Sequence, residues 1–125
     1  MAKILLVDDS RLSRAMEGDV LRGAGHEVVE AVNGTQGLER LASESFDLVV
    51  SDLLMPGCDG IEMLRQIRAS GNSVPVVIGS ADIQESTRRI CEELGIAGFL
   101  HKPVHGVDLL ARIQTILAST LEPVQ

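Results

Sequence analysis

The sequence predicts an α/β domain: five parallel strands alternate with five helices and form a central sheet covered on both faces. Two observations carry this. Short apolar runs such as Ile4-Leu5-Leu6-Val7 and Leu48-Val49-Val50 recur along the chain, and runs of this kind bounded by turn residues read as strands buried on both faces. Each is followed by apolar residues at helical spacing, and that strand-helix alternation implies a parallel sheet with right-handed crossovers.

Residues 3-8 read as the first strand. Ser10 is placed to cap a helix running to Ala24, with Met16, Val20, Leu21 and Ala24 as its apolar face and Gly25 closing it. A short strand follows at Glu27-Glu30, and Asn33-Gly34 turns the chain into a helix carrying Leu38 and Leu41. The third strand covers 47-52 and Met55-Pro56-Gly57 makes a turn, after which Asp59 caps a helix burying Ile61, Leu64 and Ile67. Gly71-Asn72 ends that helix, and the fourth strand runs from Val74 to Ser80. A helix over 83-94 ends at Gly95, the fifth strand is 97-101, and a last helix over 106-119 aligns Leu109, Leu110, Ile113, Ile116 and Leu117. The tail Glu122-Pro123-Val124-Gln125 is expected to fray. Residues 1-125 thus read as one domain, and periodicity leaves the strand order open.

Composition narrows the function. A net charge of -7 and an aromatic content of 2%, Phe46 and Phe99 alone, argue against a nucleic-acid binder, which needs a basic face or stacking rings. No apolar stretch approaches the roughly 20 residues that cross a bilayer, and no signal-peptide pattern opens the chain. Cys58 and Cys91 lack the spacing of a metal or redox pair. Two reduced thiols in a cytoplasmic protein are expected.

The strands end in residues suited to chemistry: Asp8-Asp9, Asp52, Ser80 and, after the fifth, Lys102-Pro103. In parallel α/β sheets the carboxyl ends of the strands border the ligand crevice. Three carboxylates there repel one another, so at least one pKa should rise. A hard divalent cation such as Mg²⁺ would relieve that repulsion. A single aspartate after a strand is more commonly a cap or turn former; the recurrence at Asp52 tips the balance toward a metal. Lys102, one of only two lysines against nine arginines, offers the compact ammonium suited to a phosphoryl oxygen. Alone, it would pass for a solvated loop lysine. Ser80 has no nucleophile elbow around it and reads as a phosphate contact or a simple strand terminator. Carboxylate, cation, ammonium and hydroxyl together describe phosphoryl transfer to a carboxylate. Neither GxxxxGK[ST] nor GxGxxG occurs, so a conventionally bound nucleotide donor is not indicated.

Leu5-Leu6-Val7-Asp8-Asp9-Ser10, Asp52-Leu53-Leu54-Met55-Pro56-Gly57-Cys58-Asp59-Gly60, Ser80-Ala81 and Phe99-Leu100-His101-Lys102-Pro103 together resemble a response-regulator receiver domain of the single-domain, chemotaxis-regulator kind. The likeness spans essentially the whole chain. It implies a flavodoxin-like fold with strand order 2-1-3-4-5. It also implies that Asp52 accepts a phosphoryl group from phosphohistidine on a sensor histidine kinase or histidine phosphotransfer protein. Asp9 and Asp52 would ligate Mg²⁺ (or Mn²⁺) directly, Asp8 through water and Leu54 through its backbone carbonyl. Lys102 would contact the phosphate, with a cis Lys102-Pro103 bond. Ser80 and Phe99 would form a switch pair, although Phe99 also reads as an ordinary core aromatic. Phosphorylation would shift the fourth helix, fifth strand and last helix, where a downstream protein binds, while the donor docks beside the first helix. Leu12 is a candidate donor contact or a buried residue.

Three departures accompany the resemblance. Val104 stands where Phe commonly follows Lys-Pro, which would loosen packing ahead of the last helix. Phe99 replaces a frequent Tyr, so no phenol is available to hydrogen-bond outward. Asp82 either tunes dephosphorylation at the pocket mouth or, the favoured reading, caps the next helix. A metal-dependent aspartyl-phosphate phosphatase is a rival, but such enzymes place a second acid two residues after the nucleophile, where this chain has Leu54. A degenerate scaffold receiver is the other, although Asp8, Asp9, Asp52, Ser80 and Lys102 are all present.

Overall fold

The apolar runs become strands because their residues have protein on both sides. The computed structural model describes residues 2-53, 59-81 and 84-121, with side chains through Ala118. Strands β1 (Lys3–Val7), β2 (Glu27–Ala31), β3 (Leu48–Asp52), β4 (Val76–Ser80) and β5 (Gly98–His101) alternate with helices α1 (Arg11–Gly23), α2 (Gly34–Ser43), α3 (Gly60–Ala69), α4 (Glu85–Glu93) and α5 (Gly106–Leu121). The strands form one parallel sheet in the order β2-β1-β3-β4-β5. Ile4 to Val7 in β1, Leu48 to Ser51 in β3 and all of β4 are buried, whereas the edge strands β2 and β5 are only partly so.

Side chains alternate across a strand, which divides the core in two. Leu5, Val7, Val49, Val76 and Ile78 pack with Met63, Leu64, Ile67 and Cys91 on the face covered by α2, α3 and α4. Ile4, Leu6, Leu48, Val50 and Val77 pack with Leu21, Leu109, Ile113 and Ile116 on the face covered by α1 and α5. The sheet order reverses between β1 and β3, so the ends of those two strands flank the crevice where such sheets bind ligands.

Helix boundaries follow local chemistry. Ser10, Asn33 and Asp59 each accept from the backbone N–H three residues on, capping α1, α2 and α3. Gly25, Gly71 and Gly95 follow α1, α3 and α4 at φ 94°, 84° and 83°, a conformation that glycine adopts without a Cβ clash. The N–H of each next residue reaches back to Leu21, Ile67 and Cys91 respectively, closing the helix ends.

Two expectations need correction, and one open alternative is decided. Met16 is 58% exposed and Ala24 is exposed; the inward stripe of α1 runs instead through Arg14, Glu17, Gly18 and Leu21, because Arg14 is drawn to partners on β2 and the β1 end. Leu12, which could have been buried, is 70% exposed. Helix α4 starts at Glu85 with Gln84 as its N-cap and no side-chain cap bond, so the cap does not fall at Asp82. Asp82 itself, Ile83, Leu54, the Met55-Pro56-Gly57 turn, Cys58 and the tail from Glu122 lie outside the described residues. Among those described, Cys91 is a free, buried thiol whose pKa burial pushes up, and no helix is long and apolar enough to cross a membrane.

Candidate functional site

Asp8 leaves β1 with its carboxylate almost fully enclosed, at 1% exposure. One oxygen accepts from the Ser10 N–H at 2.8 Å and the other from Lys102 Nζ at 2.8 Å. Its own N–H donates to Ala31 O at 3.1 Å, and its carbonyl accepts from Arg14 Nη1 at 2.8 Å. Asp8 is therefore held from four directions. Asp9, next in the chain, is exposed.

Asp52 closes β3, half-buried, with Oδ1 3.4 Å from Lys102 Nζ. Two contacts fix the backbone of Leu53, immediately after it. The Leu53 N–H donates to Gly79 O at 2.9 Å, and the Gly60 N–H donates to Leu53 O at 2.8 Å. A Cβ on Gly60 would sit 2.6 Å from Asp52 O, so only glycine lets α3 begin this close to the strand end. Lys102 follows β5 and must cross β4 to meet Asp8 and Asp52. It passes over Gly79, where a Cβ would lie 3.6 Å from Lys102 Cε. Its N–H donates to Ser80 O at 2.9 Å, and the Lys102-Pro103 bond is cis.

Carboxylate oxygens of Asp8, Asp9 and Asp52 all lie within 4.8 Å of one another. Three hard oxygen donors, two of them partly or fully screened and one open to solvent, suit a cation that keeps several waters, as Mg²⁺ and Mn²⁺ do. The donor set thus fits the metal that the sequence suggested.

Burial pushes the Asp52 pKa up, with the charge of Asp8 adding to it and Lys102 opposing it. The expected rise is there, but desolvation leads and carboxylate repulsion is secondary. Burial works to lower the Lys102 pKa, yet its hydrogen bond to Asp8 and the charges of Asp8, Asp52 and Glu17 raise it overall. A lysine held in this way stays charged.

Ser80 is 2% exposed at the end of β4. Ile78 pairs with Phe99 and Ser80 with His101, and by strand alternation Ser80 and Phe99 share the sheet face that Ile78 packs on. Phe99 is half-buried against that core. Val104, in the shortened position after Pro103, is half-buried against the opposite core.

Glu17 was not singled out in the sequence. On the inward stripe of α1, it is half-buried and its pKa rises to about 7, mainly through burial, with Asp8 and Asp52 adding and Lys102 opposing. Arg14 was missed as well. The available signal was the spacing Arg14, Glu17, Gly18, Leu21 (i, i+3, i+4, i+7), a helical stripe disguised by its polar members.

The model of the response regulator receiver domain matches residues 4–114. The chain belongs to the response regulator receiver family. It is 41% identical over 123 residues to the sensory/regulatory protein RpfC of Xanthomonas campestris pv. campestris, covering 94% of this chain and 17% of that protein. The chain thus spans about a sixth of that relative's length. Among solved structures it is similar to the chemotaxis protein CheY4 of Vibrio cholerae, at 30% identity and TM-score 0.88 over 93% of this chain and 98% of that one. A response regulator from Chloroflexus aurantiacus aligns at 31% identity and TM-score 0.86, over 94% and 98%. The receiver's flavodoxin-like topology is thereby reached from strand order and from relatives alike.

Proposed function

We propose that this receiver is a phosphorylation switch in which Asp52 takes a phosphoryl group from a phosphohistidine. The observation that carries the reading is Lys102 Nζ standing between Asp8 and Asp52, at 2.8 and 3.4 Å, beside three converging carboxylates. Asp9, Asp52 and the Leu54 carbonyl would hold Mg²⁺ or Mn²⁺ directly. Asp8, whose two oxygens are engaged by Ser10 and Lys102, suits a role through water. When bound, the cation neutralises charge on the transferring phosphoryl oxygens.

An Asp52 oxygen forms the new bond to phosphorus while the phosphorus–nitrogen bond of the donor breaks, and the electron pair leaves with the histidine. Lys102 then turns from its carboxylate partners toward the added phosphoryl oxygens, and the Ser80 hydroxyl donates to them. Movement of Ser80 leaves space on the face it shares with Phe99, and the ring fills it. Population then shifts across α4, β5 and α5. The groove beside β5 and α5, about 640 Å³ and lined by Phe99, Val104, His105, Asp108, Arg112 and Thr115, is where a downstream protein would read the change. The donor, a sensor histidine kinase or a histidine phosphotransfer protein, would dock over the exposed Leu12 of α1.

Residues 1-125 would act as one unit that catalyses its own phosphorylation and turns over no external substrate. Likeness to a chemotaxis protein of similar length and to a segment of a longer sensory/regulatory protein gives two settings for the same chemistry. Incubation with a small acyl phosphate and Mg²⁺ tests the acceptor: wild type should gain one phosphoryl group by intact mass and Asp52→Asn none. Normal uptake by the variant would move the acceptor elsewhere.

A further inference from the structure

Arg14, Gly18 and Arg22 lie four residues apart in one row along α1, facing Glu30 of β2. Arg14 Nε donates to Glu30 Oε1 at 3.2 Å and Arg22 Nη2 to Glu30 Oε2 at 2.8 Å. Arg22 Nη2 also reaches Val28 O at 3.4 Å. The free end of the Arg14 fork, Nη1, donates to Asp8 O at 2.8 Å. Gly18 leaves the row uncrowded: a Cβ there would stand 3.0 Å from Arg22 Nη1, whose tip would have to give, and in ordinary contact with Glu30 Oε2 at 3.6 Å.

The bond to Asp8 O has consequences for its neighbour. A peptide unit is planar, so fixing the Asp8 carbonyl fixes the Asp9 N–H and the direction in which Asp9 leaves the strand. Asp9 is the one exposed member of the carboxylate cluster, and no side-chain hydrogen bond to another described residue otherwise orients it. A guanidinium gripped at one edge by a carboxylate presents its other edge in a fixed plane.

We infer that Arg14, braced by Glu30 and Arg22, is a positioning residue that aims Asp9 into the metal site through the Asp8–Asp9 peptide. The inference rests on the metal-site reading above and deepens it, by linking Mg²⁺ affinity to a β2–α1 cluster that no phosphoryl group touches. Outer partners that orient metal ligands typically change affinity by about 10–100-fold when removed.

Mg²⁺ titration by calorimetry, with Asp9 amide resonances read in the metal-free protein, tests it. Arg14→Met should weaken Mg²⁺ about 10-fold and shift the Asp9 amide. Glu30→Gln should weaken Mg²⁺ by roughly threefold alone and add nothing in the Arg14→Met background, because the brace then has nothing to hold. Gly18→Ala guards against misfolding: alanine is the better helix former, yet its Cβ would press on the tip of Arg22 where that residue holds Glu30. Stability that holds or rises while Mg²⁺ affinity falls is the expected signature, and a merely structural cluster would not produce it. Arg14→Met with wild-type affinity, or a Glu30→Gln effect undiminished in its background, overturns the inference. Wild type failing to bind Mg²⁺ would sink the metal-site reading instead; an unmoved Asp9 amide in Arg14→Met would then sink this one separately.

Discussion

Burial, together with the charges facing each group, sets the protonation of Glu17, Asp52 and Lys102 at the pocket. Glu17 is the clearest case. Its carboxyl holds a proton up to about pH 7 in the folded protein against 4.5 for the ordinary group. The native state therefore binds the proton more tightly than the unfolded chain, and stability from that proton is full below pH 4.5 and lost as pH rises through about 7. Glu17→Gln should match wild type in acid and exceed it by about 1–3 kcal/mol at pH 8 without metal, measured by urea unfolding across the pH range. An equal gap at pH 4 and pH 8 would show that ionisation is not the cause. Asp52 shifts in the same direction, so protons compete with Mg²⁺, and metal affinity should rise with pH. Lys102→Met removes the ammonium that now sits among the carboxylates. That variant should bind Mg²⁺ more tightly, by about 3–10-fold, while taking up phosphoryl more slowly. Calorimetry and rapid-mix labelling separate the two effects.

At the scale of elements, glycine governs how closely backbone approaches the site. The start of α3 rests against the end of β3, with a Cβ at position 60 only 2.6 Å from Asp52 O. Gly60→Ala must shift helix or strand, and should cost about 1–3 kcal/mol of stability together with phosphoryl uptake. Gly79→Ala meets Lys102 at 3.6 Å, an ordinary contact, and should retain most of both. Equal damage from the two substitutions would mean that the close approach at Asp52 does not explain Gly60, since alanine is favoured over glycine in helix and strand alike. The Asp-Gly pair was legible in the sequence as a cap and a motif. Its reason, a backbone-to-backbone approach between elements, was not. The stripe of α1 was misread for a related cause: Met16 and Ala24 are apolar, but Arg14 has better partners inward.

Across the molecule, the sheet holds a patch of like charge at one end, and ligand binding there must feed back on folding. The three carboxylates outnumber the single ammonium in contact with them. A cation that binds only the folded state stabilises it by mass action, about 2.7 kcal/mol at a hundredfold excess over Kd. Thermal unfolding should accordingly move upward with Mg²⁺ in wild type and respond much less in Asp9→Asn. A full response in that variant would take Asp9 out of the ligand set.

The sequence by itself determined the five strands, the five helices, the three strand-end carboxylates and the lysine, because burial on both faces and helical spacing leave a direct residue signature. Its family likeness supplied the strand order. Tertiary structure alone decided that Lys102 crosses β4 over Gly79 to reach Asp8, that Glu17 looks inward, and that Arg14 grips the Asp8 carbonyl. Those are distances between residues far apart in the chain or hidden on a polar stripe. They depend on how elements pack, and apolar periodicity, the signal that found the strands and helices, does not reveal them.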